Sequence, residues 1–133
     1  MRKIQTKITI DAPAEKVWDV LTDFGQYENW NPFIVKASGE AEKGKVLNLT
    51  MKNGKKEMGF QPEVQISEHA REFEWLGSGM MGTFKGRHSF QLEAQGNSTV
   101  LHHGEVFTGL LSGMIFGMIE EDTINGFESM NKA

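Results

Sequence analysis

Residues 2 to 10 alternate, with Ile4, Ile8 and Ile10 on one side and Lys3, Gln5, Lys7 and Thr9 on the other. A period of two is that of a half-buried strand. The period then lengthens: Ala14, Val17, Trp18, Leu21 and Phe24 share one helical face, with Asp11 or Ala12 as the cap, Pro13 near the first helical position and Glu15 in the first turn. Gly25 is expected to end this helix, and Asn29-Trp30-Asn31-Pro32 to form a turn in which Trp30 covers the edge of a core. Short strand-like runs follow at 33–37, 46–52, 58–66, 72–76, 84–94 and 99–107, separated by clusters of Gly, Asn and Ser. Asn53-Gly54 and Gly96-Asn97 suit the positive-φ positions of hairpin turns, and no crossover helix intervenes, so the sheet is predicted to be antiparallel. From Leu110 the spacing of Leu111, Met114, Ile115, Met118, Ile119, Phe127 and Met130 returns to three and four, which predicts a C-terminal helix of about 20 residues.

The order strand, helix, meander of strands and long final helix is that of an α+β fold. A curved antiparallel sheet of this size has a concave face too wide for its own side chains to fill, so the last helix must cover it. A cavity between the two is expected. The 133 residues form a single domain, 1–133, since a second core would need about 50 residues of its own. The formal charge of −4 lacks the basic excess that phosphate neutralisation requires, which argues against nucleic acid as a partner. There is no Cys, so disulfides, thiol catalysis and thiolate metal sites are excluded. No stretch approaches the roughly 18 apolar residues of an integral membrane segment, and the N-terminus has no signal-like apolar run. The expected compartment is the cytoplasm.

Polar residues placed among these alternating apolar ones are the candidate chemistry. In the run 84–93, Phe84, Gly86, His88, Phe90 and Leu92 alternate with Lys85, Arg87, Ser89, Gln91 and Glu93, so His88 points inward. Burial disfavours its protonated form, and a neutral imidazole is expected, as a satisfied core histidine or as an acid/base group. The parity of 99–107 is ambiguous, because Val100 and Val106 favour one face while Leu101 and Phe107 favour the other. His102 and His103, as strand neighbours, point to opposite faces and cannot chelate one ion, so no metal site and no cofactor is expected. Gly77-Ser78-Gly79-Met80-Met81-Gly82 spells the GxGxxG of dinucleotide sites but runs into a strand instead of opening a helix; it is read as a connection with Met80 and Met81 exposed. Gly109, Gly113 and Gly117 recur every four residues, a stripe that permits close helix-to-sheet packing or leaves room for a ligand.

The segments Ile10 to Phe24, Tyr27-Glu28-Asn29-Trp30-Asn31-Pro32, Gly86-Arg87-His88-Ser89-Phe90 and Glu105 to Leu111 together resemble the START-like superfamily, also called SRPBCC, close to its polyketide cyclase/dehydrase branch. Members usually continue past the position of Ala133, where this helix stops without a capping glycine. The resemblance implies a helix-grip fold, a curved antiparallel sheet of about seven strands wrapped around a long C-terminal helix over a hydrophobic pocket. It also resolves the parity, turning Leu101, His103, Glu105 and Phe107 inward. An inward Glu105 must then be protonated, paired or open to water, with His103 two residues away as the nearest candidate partner. The expected walls are Phe60, Trp75, Phe84, Phe90, Phe107, Met114 and Met118, with Met51, Met58 and Met81 as further deformable positions. His88, His103 and Glu105 would orient the polar end of a guest.

The expected function is binding of a small hydrophobic molecule such as a lipid, isoprenoid or polyketide-like aromatic. A cyclase or dehydratase using His88 or Glu105 as acid/base is the enzymatic alternative, and relatives that activate a chaperone imply a third, a protein-interaction domain. Neither catalytic residues nor an oligomeric state follow from the sequence.

Overall fold

The computed structural model describes residues 2–53, 56–79, 84–109 and 112–132, with side chains described at all of these except 53, 79, 84, 112–119 and 122. Strand β1 (Arg2–Ile10) leads into helix α1 (Ala14–Thr22), a 3-10 turn (Phe24–Gln26) and the short α2 (Tyr27–Trp30). The strands β2 (Ile34–Ser38), β3 (Asn48–Asn53), β4 (Lys56–Phe60), β5 (Glu63–Glu68), β6 (Glu72–Gly79), β7 (Phe84–Gln95) and β8 (Ser98–Thr108) follow, and α3 (Ser112–Lys132) closes the chain.

The strands form an antiparallel five-stranded sheet in the order β1-β8-β7-β6-β5 and a three-stranded sheet in the order β2-β3-β4. These are two parts of one curved surface. Val46 bridges Glu63, Leu47 N–H donates to the Pro62 carbonyl at 2.8 Å, and Lys45 and Val64 are joined by a bond of 2.9 Å. The run expected as one strand over 58–66 is thus two, β4 and β5, folded at Gln61-Pro62. Pro62 has no N–H to give the ladder and fixes its own φ, so pairing stops there and the strand bends. Counting β4 and β5 as one bent strand gives the seven of a helix-grip sheet.

The first helix differs from expectation at both ends. Its N-cap is Pro13, and no side chain caps it. It ends at Thr22 instead of Gly25, and the next residues coil back as the 3-10 turn and α2 where a simple turn was expected. Tyr27 is the cause: its ring is fully buried and its hydroxyl donates to the Leu21 carbonyl, which ties α2 to the end of α1. Asn31 then turns the chain into β2, its Oδ1 accepting from the N–H groups of Phe33 and Ile34, both at 2.9 Å. The strand expected to end at Leu76 continues to Gly79.

Helix α3 lies across β1, β3, β7 and β8, with Phe127 and Met130 buried. Trp18 and Leu21 of α1 and Phe24 of the 3-10 turn join Phe73, Trp75, Phe90, Leu101 and Phe107 of the sheet in one core. Gly126 sets the depth to which α3 settles, because a Cβ there would strike the ring of buried Phe33.

Candidate functional site

In the middle of this aromatic core lies a polar cluster contributed by three strands and α3. Inward positions of β7 and β8 supply His88, His103 and Glu105, and the register of the pair sets His88 opposite Glu105 and Phe90 opposite His103. His88 and His103 are fully buried. The ring of His103 lies between Phe127, stacked at 4.1 Å, and Phe90, stacked at 4.5 Å. His88 stacks on Trp75 at 4.6 Å.

The hydrogen bonds run in series. Thr6 of β1, opposite His103 in the sheet, donates its hydroxyl to the His103 carbonyl at 2.8 Å. A carbonyl only accepts, so the Thr6 oxygen is free to receive Asn131 Nδ2–H, also at 2.8 Å. Asn131 therefore turns its Oδ1 to the ring of His103, and His103 Nδ1–H donates to it at 2.7 Å. A neutral His103 then keeps its lone pair on Nε2, which takes the hydrogen of His88 Nε2 at 2.7 Å. His88 is left with a bare Nδ1, buried and without a hydrogen-bond partner. The oxygen facing it is Glu105 Oε1 at 3.5 Å. Only a protonated Glu105 has a hydrogen to offer that lone pair; a carboxylate would meet it lone pair to lone pair.

The electrostatics agree with this assignment. Burial pushes the Glu105 carboxyl up from 4.5 to about 8 and the His88 imidazole down to about 3. His103 is held well below its ordinary value by burial and by the neighbouring His88, against a smaller opposing effect of the Asn131 bond. The cluster is therefore neutral at pH 7. Gly86 makes room for the acid, since a Cβ at that position would collide with the Glu105 carboxyl. Unlike the two histidines, Glu105 is within reach of solvent, with 12% of its side chain accessible.

The expected pairing of Glu105 with His103 is corrected: side chains two apart on one strand share a face but sit a full repeat apart, whereas His88 lies directly across the ladder. Trp75, Phe90 and Phe107 are buried, and Phe60 is half-buried against the core. The side chains of Phe84, Met114 and Met118, and residues Met80 and Met81 altogether, lie outside what is described, while the stripe residues Gly113 and Gly117 fall within α3. Met51 packs against the core, but Met58 is not a wall: it is 52% exposed, on β4, the edge strand of the three-stranded sheet among the described residues. The expected connection from Gly77 is also shortened, Gly77 and Ser78 being paired in β6 with Gly86 and Lys85.

Thr6, Asn131 and Gly126 were not anticipated. Thr6 falls on the even-numbered inward face of β1 with Ile4, Ile8 and Ile10, and Asn131 lies four residues after Phe127 on the same side of α3, so both signals are periodic ones. Among the described residues, no group of three or more His, Cys, Asp or Glu side chains is placed to hold a metal ion. A surface pocket of about 200 Å³ beside Lys36, Asn48, Thr50 and Gln61 brings together no acid/base pair.

Residues 1–130 match the family model described as polyketide cyclase / dehydrase and lipid transport. No curated protein sequence matches closely enough to count as a relative. Among solved structures, the di-domain ARO/CYC BexL of the BE-7585A biosynthetic pathway superposes with a TM-score of 0.77 at 9% identity, covering 99% of this chain and 46% of that one. This chain thus spans about half the length of BexL. A START superfamily protein from Mycobacterium smegmatis gives 0.74 at 17% identity, covering 98% and 94% of the two chains. The Zhui aromatase/cyclase from Streptomyces sp. R1128 gives 0.70 at 17%, covering 98% and 92%. At these identities the likeness is one of fold.

Proposed function

Because the chain belongs to the polyketide cyclase/dehydrase and lipid transport family, we propose that it binds a small hydrophobic molecule, a lipid, isoprenoid or polyketide-like aromatic, between the sheet and α3. Glu105 and His88 meet the polar end of that guest, and Trp75, Phe90 and Phe107 belong to its apolar surroundings. The observation that carries this reading is the bare lone pair of His88 Nδ1 beside the partly accessible Glu105 in an otherwise aromatic interior. An unsatisfied buried polar atom costs about 1–3 kcal/mol, and apolar residues of similar volume would give a more stable core. A purpose beyond folding accounts for keeping the pair. Among the described residues no helix is long and apolar enough to cross a membrane, and we place the protein's work in the cytoplasm.

Native mass spectrometry after mild purification, with thermal melting against a panel of lipids and aromatics, tests the proposal. A guest at a hundredfold its dissociation constant adds about 2.7 kcal/mol of stability. No retained mass and no shift across the whole panel would overturn it.

The same 3.5 Å pair supports a second reading, acid/base catalysis. Glu105 holds a transferable proton near neutral pH and His88 carries the lone pair that receives it, an arrangement suited to the proton movements of a cyclase or dehydratase. Turnover lost in Glu105→Gln while binding persists would establish it; turnover retained would leave the protein a carrier.

A further inference from the structure

The hydrogen bonds of the buried cluster point in one direction. His88 Nε2–H donates to His103, His103 Nδ1–H donates to Asn131, Asn131 donates to Thr6, and Thr6 donates to the His103 carbonyl; ahead of them Glu105 Oε1 stands 3.5 Å from the still unpartnered His88 Nδ1, the lone pair toward which a Glu105 proton is directed. The last acceptor is a backbone oxygen that cannot reverse its role, so it fixes the sense of every bond before it. At the other end of the series stands Glu105. Once its hydrogen is directed at His88, what the carboxyl presents to a guest is a carbonyl lone pair. The Gly86 site, with no Cβ, keeps that carboxyl seated against β7.

Resting on the binding reading above, we propose that this fixed proton order makes the pocket selective for guests whose polar end is a neutral hydroxyl, a phenol, enol or alcohol that donates to Glu105, and makes it reject carboxylates. A guest hydroxyl completes the series as its first donor. A carboxylate brings only lone pairs to a lone pair, and among the described ion pairs the partner of Glu105 is His88, while Arg87 points to the outer face and pairs with Glu74 at 2.9 Å and Arg2, on the Ile4 face of β1 opposite Phe107, is exposed. Bonds in such a chain polarise one another in the same sense, so the donor at the mouth gains from those behind it.

Three probes of one ring size separate the possibilities: naphthalene, 2-naphthol and 2-naphthoate, titrated calorimetrically at pH 7 into the full chain and into Glu105→Gln and Glu105→Leu. In the native chain 2-naphthol is expected to bind at least tenfold more tightly than naphthalene, and 2-naphthoate more weakly than either. Glu105→Gln retains a hydrogen for His88 and a carbonyl for the guest, so it keeps the preference. Glu105→Leu brings the naphthol-to-naphthalene ratio to about one. Equal binding of all three by the native chain, or tighter binding of 2-naphthoate, overturns the selectivity while leaving hydrophobic binding intact. Failure of all three to bind overturns the binding reading and the selectivity with it. If Glu105→Leu does not fold, the native chain and Glu105→Gln still decide the matter through the ratio.

Discussion

Replacing Glu105 by Gln should change how folding stability depends on pH above neutrality and leave most else in place. The folded-state value of about 8 lies above the ordinary 4.5, so the native protein holds one proton more than the unfolded chain between those limits. That contribution is fully present below about pH 4.5 and is lost as pH rises through 8. His88 works in the opposite sense: its folded value of about 3 lies below the ordinary 6.5, so the unfolded chain binds the extra proton and stability is lost as pH falls below 6.5. His103 is displaced in the same direction as His88. Between 4.5 and 6.5 the histidines therefore offset or exceed the carboxyl, and stability rises with pH. Above about pH 7.5 both imidazole contributions have levelled off and, of these three groups, Glu105 acts alone.

One proton is worth about 1.4 kcal/mol per pH unit, so relative to the Gln variant the wild-type protein should lose about 2 kcal/mol between pH 6.5 and 8. Gln is nearly isosteric, keeps an N–H for His88 Nδ1 and does not titrate. Its stability should not fall over the same range, and should rise slightly up to about pH 7.5 as the unfolded histidines lose their protons. Urea unfolding followed by tryptophan fluorescence at four pH values from 6.5 to 8 measures this, with the slope in urea checked for constancy. Surface groups titrate alike in both proteins, so the difference between the two curves isolates Glu105. Parallel curves would show that Glu105 is already ionised at pH 6.5, and with it the proton order deduced for the cluster would fall.

Gly126→Ala places a methyl group inside the ring of Phe33, and should cost about 1–3 kcal/mol in urea midpoint despite the better helix propensity of alanine. Tyr27→Phe removes the donor to the buried Leu21 carbonyl; a loss of about 1–3 kcal/mol by the same assay is expected, with α2 exchanging its amide hydrogens faster. Ala70 stands at φ 59 in the β5–β6 turn, where a Cβ is strained by about 1–2 kcal/mol, so Ala70→Gly should raise the melting temperature once the extra chain entropy of glycine is subtracted, a net gain of about 0.5 kcal/mol.

The fold was largely legible because its elements have clean periods. β7 alternates without exception, and the structure buries Gly86, His88, Phe90 and Leu92 while exposing Lys85, Arg87, Gln91 and Glu93. The helical return at 24–30 was not legible, because it depends on the Tyr27 hydroxyl reaching Leu21, a contact that no periodicity encodes. Nor did the pattern decide β8. Val100 and Val106 on its outer face are half-buried, since β8 runs between β1 and β7 and long neighbours cover both of its sides. A strand in the middle of a sheet loses the polar-out signal that reveals an edge or a half-exposed strand.

The partner of Glu105 was nevertheless written in the sequence, in the turn instead of the strand. A two-residue hairpin fixes the register of everything behind it, because each step back on one strand is matched by a step forward on the other. With Gly96-Asn97 as the turn, the structure pairs Gln95 with Ser98 and keeps that register without a bulge to Lys85 and Thr108. His88 lies eight positions before Gly96 and Glu105 eight after Asn97, so the two had to be opposite, and His103 had to fall beside Phe90. Proximity along the strand favoured His103 as the partner; counting from the turn selects His88. What no local rule supplies is the fourth wall. Asn131 reaches Thr6 across nearly the whole chain, at a position set by how deeply Gly126 lets α3 settle on Phe33. The proton order of the cluster is thus determined by the packing of a helix, and the chemistry offered at Glu105 follows from a glycine that touches none of it.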